Sequence, residues 1–288
     1  MPDPTALYLN LLKQCLCGAI NPPGRHEPVV SHARCAAIIR SANEEFRRYL
    51  EPFGHTVETF LRRQAAGFTP GMLHAGLHGM HRETTPDTMS DLASLDNLQV
   101  CIETAIRDDV PGDLIETGIW KGGMPVLMRA ILKAHRIVDR TVWAADSFKG
   151  MPKPDPATDL IDAIWHFMLE PIDGLRIPRD YVENIFRKYG LLDTQVRFLE
   201  GWFSDTLPDA PIRRLAVMRL DGDWYASTRT AIEALYPKLS PGGFIIVDDY
   251  GLPLGCRQAI DEYRRCNDIR APIQWVNHQV IFWRKPLP

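Results

Sequence analysis

Hydrophobic residues change their spacing near residue 95, and this change divides the chain into two regions. In the first region apolar side chains recur at the spacing of amphipathic helices, as at Leu7, Leu11, Leu12 and Leu16. Residues 67–87 are rich in Gly, His and Thr, which is typical of a surface loop. We therefore predict a helical N-terminal extension over residues 1–95.

The second region alternates short apolar runs with helical patterns, which predicts an α/β domain over residues 96–288. Runs of strand length occur at Asp113–Glu116, Thr141–Asp146, Gln195–Glu200, Leu215–Asp221 and Gly243–Asp248. A closing hairpin is predicted to pair Ile273–Val276 with Val280–Arg284. Strands that alternate with helices form a parallel sheet whose two faces are both covered by helices.

Most of the predicted strands end in a carboxylate. In open α/β sheets, ligands bind beyond the carboxyl ends of the strands, so residues at these ends are candidates for a binding site. The acids at or just after the strand ends are Glu116, Asp146, Asp221, Asp248 and Asp249. We expect these side chains to face one common site.

The turn after the first predicted strand is rich in glycine. Its glycines, Gly118, Gly122 and Gly123, do not form the G-x-G-x-x-G pattern that binds a pyrophosphate. Glu116 before them suits a ligand without phosphate that carries a cationic, amino-acid-like group. Asp146 ends the second strand, where a carboxylate can accept hydrogen bonds from ribose hydroxyls. A tight strand–helix turn with an exposed acid is the alternative interpretation.

Four carboxylates follow two predicted strands, namely Asp221, Asp223, Asp248 and Asp249. Carboxylates this close repel one another unless a cation lies among them. A hard divalent ion, Mg²⁺ by preference, binds a few carboxylates and leaves positions for substrate oxygens, whose protons it makes more acidic. We therefore predict a metal site among these carboxylates, with Asp223 as the general base that takes the proton. Capping of the following helices is the alternative role for one or two of these acids.

Composition and charge exclude little but lower the expectation of some partners. The 288 residues carry a net charge of -3, which offers no basic surface for nucleic acid or anionic lipid. The N-terminus lacks a signal-peptide pattern, and no apolar stretch reaches the length of a membrane helix. The six cysteines form no C-x-x-C pair, as in a protein with reduced thiols. We expect a cytoplasmic protein whose ligands are small molecules.

Several long motifs closely resemble the macrocin O-methyltransferase family, whose members methylate sugar hydroxyls on macrolides and aminocoumarins. The resemblance extends over about residues 88–285. It is carried by Pro111–Gly123, Ala145–Pro152, Gly201–Pro208, Arg219–Asp223 and Tyr236–Tyr250. It implies a class I methyltransferase fold: a Rossmann-like, seven-stranded, mostly parallel sheet with an antiparallel last strand.

The resemblance also implies ligands for particular residues. It assigns S-adenosylmethionine to Glu116, Thr117, Gly118, Trp120, Asp146, Ser147, Phe148, Gly201 and Trp202. It assigns the metal to Asp221, Asp248 and Asp249, and the base role to Asp223. Thr88 and Met89 match a segment that closes over the cofactor. Members of the family are commonly dimers or larger homo-oligomers, so we expect the N-terminal extension to contribute to assembly.

Two stretches depart from the family pattern and leave the acceptor undetermined. Residues 155–180, called the lid segment below, are longer and more apolar than the usual lid, with Trp165, Phe167 and Met168 among them. The loop at 67–87 carries His74, His78 and His81, a spacing that would suit a metal on a helix but lies among glycines.

Three other functions remain open at this stage. A catechol-type O-methyltransferase would use the same fold and the same metal chemistry. A nicotinamide-dependent oxidoreductase would also use a similar sheet, although the glycine pattern disfavours it. A non-catalytic nucleoside-binding protein would keep the cofactor site and transfer nothing.

Overall fold

The computed structural model describes residues 3–20, 86–155, 158–169, 173–252 and 254–287. The histidines at 74, 78 and 81, and most of the predicted loop at 67–87, lie outside the described residues. The predicted division into an extension over 1–95 and a domain over 96–288 therefore stays a prediction.

A seven-stranded sheet forms the centre of the protein and confirms the predicted architecture. Its strands, in chain order, are β1 Asp113–Thr117, β2 Val142–Asp146, β3 Val196–Glu200, β4 Leu215–Leu220, β5 Leu239–Val247, β6 Gln274–Trp275 and β7 Ile281–Arg284. Across the sheet the order is β3-β2-β1-β4-β5-β7-β6. Strands β1 to β5 pair in parallel, whereas β7 runs antiparallel to both of its neighbours, as the closing hairpin predicted.

Helices pack on both faces of this sheet. The described helices are α1 Pro4–Leu16, α2 Leu92–Arg107, α3 Gly123–Ala134, α4 Leu160–Leu169, α5 Arg179–Lys188, α6 Phe203–Thr206, α7 Tyr225–Leu235 and α8 Gly255–Cys266. Short 3-10 turns lie at Asp173–Leu175 and Tyr236–Lys238. Along β1 successive side chains point to opposite faces, so Leu114 packs in one core and Ile115 in the other.

The first core lies under α1, α2 and α3. Helix α1 contributes Leu9, Leu12 and Leu16, which are all buried, and its Lys13 pairs with Asp96 of α2. Burial of these leucines in the first apolar core thus holds α1 against the rest of the protein. None of the described helices is long and apolar enough to span a membrane.

The second core lies on the other face, under α7 and α8. Because these two helices follow β4 and β5 directly, their N-termini lie close to the ends of those strands. The fold therefore brings the turns after β1, β2, β4 and β5 to a single edge of the sheet.

Candidate active site

A cavity of about 890 Å³ opens at the carboxyl ends of the strands. Most of the predicted site residues line it: Thr88, Met89, Glu116, Gly118, Trp120, Asp146, Ser147, Trp202, Asp221, Asp223, Asp248 and Asp249. Thr117, Phe148 and Gly201 do not contribute to its lining. The expectation that the strand-end acids share one site agrees with this arrangement.

Asp146 joins the turns that follow β1 and β2. Its Oδ2 accepts a hydrogen bond from the backbone N–H of Ile119 at 2.9 Å, and its Oδ1 accepts one from Phe148 N–H at 2.7 Å. Burial raises the pKa of this carboxyl, and the backbone N–H groups around it act in the opposite direction. The carboxylate is thus held in one orientation at the wall of the cavity.

The turn after β1 depends on a glycine. Gly118 has φ +79°, in the left-handed region that glycine tolerates best. A Cβ at this position would overlap the backbone carbonyl oxygen of Asp221 in the neighbouring turn. The backbone between the β1 and β4 turns is therefore packed too closely for any side chain.

We expect Gly118→Ala to destabilise the fold by about 3 kcal/mol, because left-handed strain and overpacking add together. The substitution should also weaken cofactor binding at least tenfold, since the turn must move. Gly190→Ala is the matched control, because Gly190 has a similar φ of +64° and no atom within 4 Å of its would-be Cβ. Urea unfolding and calorimetry would check both values, and equal losses of stability in the two variants would contradict the close-packing argument.

Glu116 is a fully buried carboxylate at the end of β1. One of its oxygens pairs with the guanidinium of Arg219, and its Oε2 has no hydrogen-bond partner among the described residues. Burial raises the pKa of Glu116 to about 8; Arg219 lowers it, whereas Asp221 and Asp248 raise it. A buried carboxylate oxygen without a partner is costly, so this atom is suited to a cationic ligand group.

Arg219, the second-last residue of β4, lies at the centre of the acids and is almost entirely buried, with 1% of its surface exposed. Its guanidinium pairs with Glu116 and Asp248 and donates to Asp221 Oδ2 at 2.7 Å and to Ser90 Oγ at 3.0 Å. Sequence reasoning missed this residue. An arginine inside an otherwise apolar central strand was the signal, because a buried charge requires partners.

The four strand-end acids near Arg219 separate into two sets. Oxygens of Asp221, Asp223 and Asp249 lie within 4.8 Å of one another. Asp248 is outside this cluster and pairs with Arg219, which also binds Asp221. The cluster thus includes Asp223, the predicted base, and does not include Asp248, one of the predicted metal ligands.

The electrostatics of these acids show why a cation is favoured. Burial raises the pKa of Asp223 and Asp249 well above the usual range, and the neighbouring carboxylates raise both further. The pKa of Asp248 rises to about 7 for the same reason, although Arg219 opposes this effect. A single guanidinium does not balance so many acids, so the cluster is suited to a further positive charge.

The three predicted residues outside the lining contact other residues in or near the site. Thr117 is buried, and its backbone oxygen accepts a hydrogen bond from Asp221 N–H at 2.9 Å. Phe148 packs edge-to-face on Phe198 with ring centroids 6.2 Å apart. Gly201 donates its N–H to the backbone oxygen of Asp146 at 2.9 Å.

The segment before α2 forms another wall of the cavity. Thr88 is buried, whereas the Met89 side chain is 55% exposed. Asp87 anchors this segment, because its Oδ2 accepts hydrogen bonds from Lys188 Nζ at 2.8 Å and Tyr189 Oη at 2.6 Å. With Ser90 bonded to Arg219, the segment is tied both to α5 and to the acidic centre.

The lid segment contributes to the lining of the cavity. Trp165 and Leu169 of α4 line the cavity, so one of the apolar lid residues singled out in the sequence does reach the site. Trp120 Nε1 donates to the backbone oxygen of Gly174 at 2.8 Å, and Trp224 Nε1 donates to that of Pro152 at 3.1 Å. Two tryptophans from the strand-end turns therefore hold the lid segment and the residues just before it.

The strand order and the antiparallel β7 are those of a class I methyltransferase fold, which the solved O-methyltransferase described below shares. Comparison with known proteins gives the family. Residues 5–285 match the family described as Macrocin-O-methyltransferase (TylF), and the chain belongs to this family. The nicotinamide-dependent oxidoreductase and the non-catalytic binding protein are therefore wrong alternatives.

Named relatives support the same assignment. The chain is 52% identical over 198 residues, 68% of this chain and 75% of the relative, to 8-demethyl-8-(2,3-dimethoxy-alpha-L-rhamnosyl)-tetracenomycin-C 4'-O-methyltransferase of Streptomyces olivaceus. It is 44% identical over 245 residues, 82% of this chain and 96% of the relative, to mycinamicin III 3''-O-methyltransferase of Micromonospora griseorubida. The solved structure of the O-methyltransferase NovP, at 35% identity, superposes with a TM-score of 0.76 and covers 98% of this chain and 100% of that one.

Proposed function

We propose that the protein transfers the methyl group of S-adenosylmethionine to a hydroxyl of a sugar-bearing natural product, with Mg²⁺ as a cofactor. The observation that carries this proposal is the cavity where the orphaned Glu116 oxygen, Asp146 and the three clustered aspartates meet. The name of the Streptomyces relative, which methylates a rhamnosyl-tetracenomycin, supports a sugar as the acceptor.

The cofactor would lie along the turns that follow β1 and β2. Glu116 offers its unpartnered Oε2 to the ammonium group of the amino-acid moiety. Asp146 is already oriented by two backbone N–H groups and would accept the ribose hydroxyls. Trp120 and Trp202 line the cavity beside them and supply apolar walls.

The residues present fit a hard divalent cation. Asp221, Asp223 and Asp249 place three carboxylate oxygens within 4.8 Å of one another, and carboxylates are ligands that Mg²⁺ prefers. Asp221 and Asp249 belong to this cluster, and Asp248 lies next to Asp249 in the sequence and pairs with Arg219. We propose Asp221, Asp248 and Asp249 as the ligands and leave Asp223, the third member of the cluster, for proton transfer. When bound, the cation would lower the pKa of an acceptor hydroxyl.

Asp223 would take the proton of that hydroxyl as its oxygen attacks the methyl carbon and the sulfur departs. Its backbone is held on both sides: its N–H donates to Asp249 Oδ2 at 3.2 Å, and its carbonyl oxygen accepts from Cys256 N–H at 3.2 Å. The other requirement is in-line placement of oxygen, carbon and sulfur, which the walls of the cavity impose.

A catechol-type acceptor is the second candidate, because Trp165 and Leu169 present an apolar wall that also suits an aromatic ring. Rates with mycinamicin III, with the tetracenomycin glycoside of the Streptomyces relative and with a simple catechol would separate the two. Turnover of the catechol alone would overturn the sugar assignment.

We also propose that the chain acts as a homodimer or a larger homo-oligomer. Leu7 and Leu11 of α1 are 54% and 57% exposed, which is unusual for two leucines on one helix face. Light scattering of Leu7→Ser/Leu11→Ser against wild type would test the contribution of this face, and a monomeric wild type would refute the proposal.

Calorimetry of cofactor binding tests the two halves of the site separately. We expect wild type to bind S-adenosylmethionine in the micromolar range, about -8 kcal/mol. Asp146→Ala should weaken this binding by about 1–3 kcal/mol because charged hydrogen bonds are lost. Asp221→Ala should abolish Mg²⁺ binding while the affinity for the cofactor without metal stays within twofold.

Asp209→Ala serves as the control, since this aspartate is exposed and does not line the cavity. Wild type that binds no S-adenosylmethionine would disprove the cofactor site. Retained Mg²⁺ binding in the Asp221 variant would disprove the metal site alone.

A further inference from the structure

Asp162 of the lid helix α4 is a buried carboxylate that the catalytic proposal does not use. It is 1% exposed, and its hydrogen bonds to the described residues come from backbone N–H groups. Its Oδ2 accepts a hydrogen bond from Tyr225 N–H at 2.5 Å, and its Oδ1 accepts one from Gly255 N–H at 2.7 Å. Burial raises the pKa of this carboxyl to about 6, and the two N–H groups lower it.

Tyr225 and Gly255 are the first residues of α7 and α8. Helix N-termini leave backbone N–H groups without partners, and a Ser, Thr, Asp or Asn at the preceding position usually accepts from them. In α7 and α8 that position holds Trp224 and Leu254, and neither side chain makes a capping hydrogen bond. Asp162 therefore caps both helices from a third one, and its charge suits their positive ends.

Gly255 is shaped to receive this carboxylate. A Cβ at Gly255 would overlap Asp162 Oδ2 and would lie 2.6 Å from Tyr225 Cβ. Two backbone segments and one carboxylate thus meet at a point where no further atom fits. We call this closely packed position between Tyr225 and Gly255 the seat of the carboxylate; the close packing distinguishes the contact from an incidental surface hydrogen bond.

The seat connects the lid to the reacting groups. Trp165 and Leu169 lie three and seven positions after Asp162 on α4, at helical spacing, and both line the cavity. On the other side, Asp223 lies two residues before Tyr225, and its carbonyl oxygen accepts from Cys256 N–H of α8.

We propose that Asp162 is a positioning residue that fixes the lid helix against the N-termini of α7 and α8 and thereby sets the acceptor wall formed by Trp165 and Leu169. This role rests on the proposed function, because it assumes that the wall contacts the acceptor. It acts on acceptor binding through α4 and makes no contact with the cofactor.

Hydrogen–deuterium exchange of the full chain, with S-adenosylhomocysteine as the probe, tests the contact itself. Asp162→Asn keeps one acceptor oxygen but sets an NH₂ against a backbone N–H. We expect at least tenfold faster exchange in α4 and in the first turns of α7 and α8, with β1 and β4 unchanged. Asp159→Asn removes a charge beside the same helix without reaching either N-terminus and should leave this exchange unchanged.

Gly255→Ala tests the same contact from the opposite side, because it keeps the carboxylate and fills its seat. We expect both variants to bind S-adenosylhomocysteine within twofold of wild type. With the tetracenomycin glycoside as acceptor, KM for the acceptor should rise about tenfold while kcat and KM for S-adenosylmethionine change less than threefold.

Lid exchange in Asp162→Asn that equals that of Asp159→Asn would overturn the proposal. Faster exchange throughout the sheet would also overturn it, since Asp162 would then support the whole fold and not the lid. Failure of the proposed function would look different: wild type would not bind the probe or methylate the glycoside, while the exchange comparison without probe would still report on the lid.

Discussion

Asp223→Asn is expected to reduce kcat by about 100- to 10,000-fold, the usual contribution of a positioned general base. The side chain keeps its size. The hydrogen bonds of Asp223 with Asp249 and Cys256 are made by the backbone of Asp223 and do not involve its own carboxylate. The amide cannot accept the hydroxyl proton, so the loss should fall on the chemical step.

The measurement is a single-turnover assay with the acceptor that proves active, accompanied by calorimetry of S-adenosylmethionine. We expect the affinity for the cofactor to stay within threefold, because Asp223 lies in the turn after β4 and the proposed cofactor contacts lie in the turns after β1, β2 and β3. Asp209→Asn provides the comparison for removal of a surface charge. A kcat within fivefold of wild type would assign the proton transfer to another group.

Arg219→Met is expected to lower the free energy of unfolding by about 3–5 kcal/mol, the range found when one partner of a buried ion pair is removed. Glu116 and Asp248 both face this guanidinium from inside the protein, and Asp221 accepts a further hydrogen bond from it. Methionine fills similar space but leaves these acids without their positive partner. Urea unfolding near pH 7 would give the difference.

Arg229→Met is the matched control, because Arg229 is 29% exposed and pairs with Glu233 on the surface of α7. Surface pairs of this kind contribute about 0.5 kcal/mol or less. If both substitutions cost the same, the acids around Arg219 would have to be protonated in the wild-type protein, and the central role of the guanidinium would be wrong.

The sheet and its ligand edge were predictable because both follow from simple periodicity. A run such as Leu215–Leu220 is buried along its whole length, so its apolar residues mark it as a central strand wherever the rest of the chain folds. Acids placed directly after such strands must meet at one edge, since parallel strands end on the same side. The acids of the cavity followed from this rule.

The sequence did not predict which of those acids pairs with Arg219 and which joins the carboxylate cluster. Asp248 and Asp249 are adjacent in sequence, yet one faces Arg219 and the other joins the carboxylate cluster. The pairing of Asp248 depends on Arg219 of β4, a partner 29 positions away, which a local pattern does not reveal. Carboxylates in this number need a cation among them, and the chain itself supplies one, Arg219, in addition to any metal.

Asp162 was missed for a related reason. Its partners are backbone N–H groups, which every residue except proline has, so no motif announces the contact. The nearest sequence signal is negative: Trp224 and Leu254 stand where a capping side chain is normally found. A helix start without a capping residue indicates that another element supplies the cap.

The shared cap has a consequence for chimaeric enzymes. Asp162 and Gly255 are 93 positions apart, and only the first lies in the segment that an engineer would exchange to alter acceptor choice. Residue 162 of a grafted lid would meet the host's Gly255, a position where a Cβ would overlap the carboxylate of Asp162. We therefore expect productive grafts to be those that transfer residues 162 and 255 together, although these residues lie far apart in the sequence.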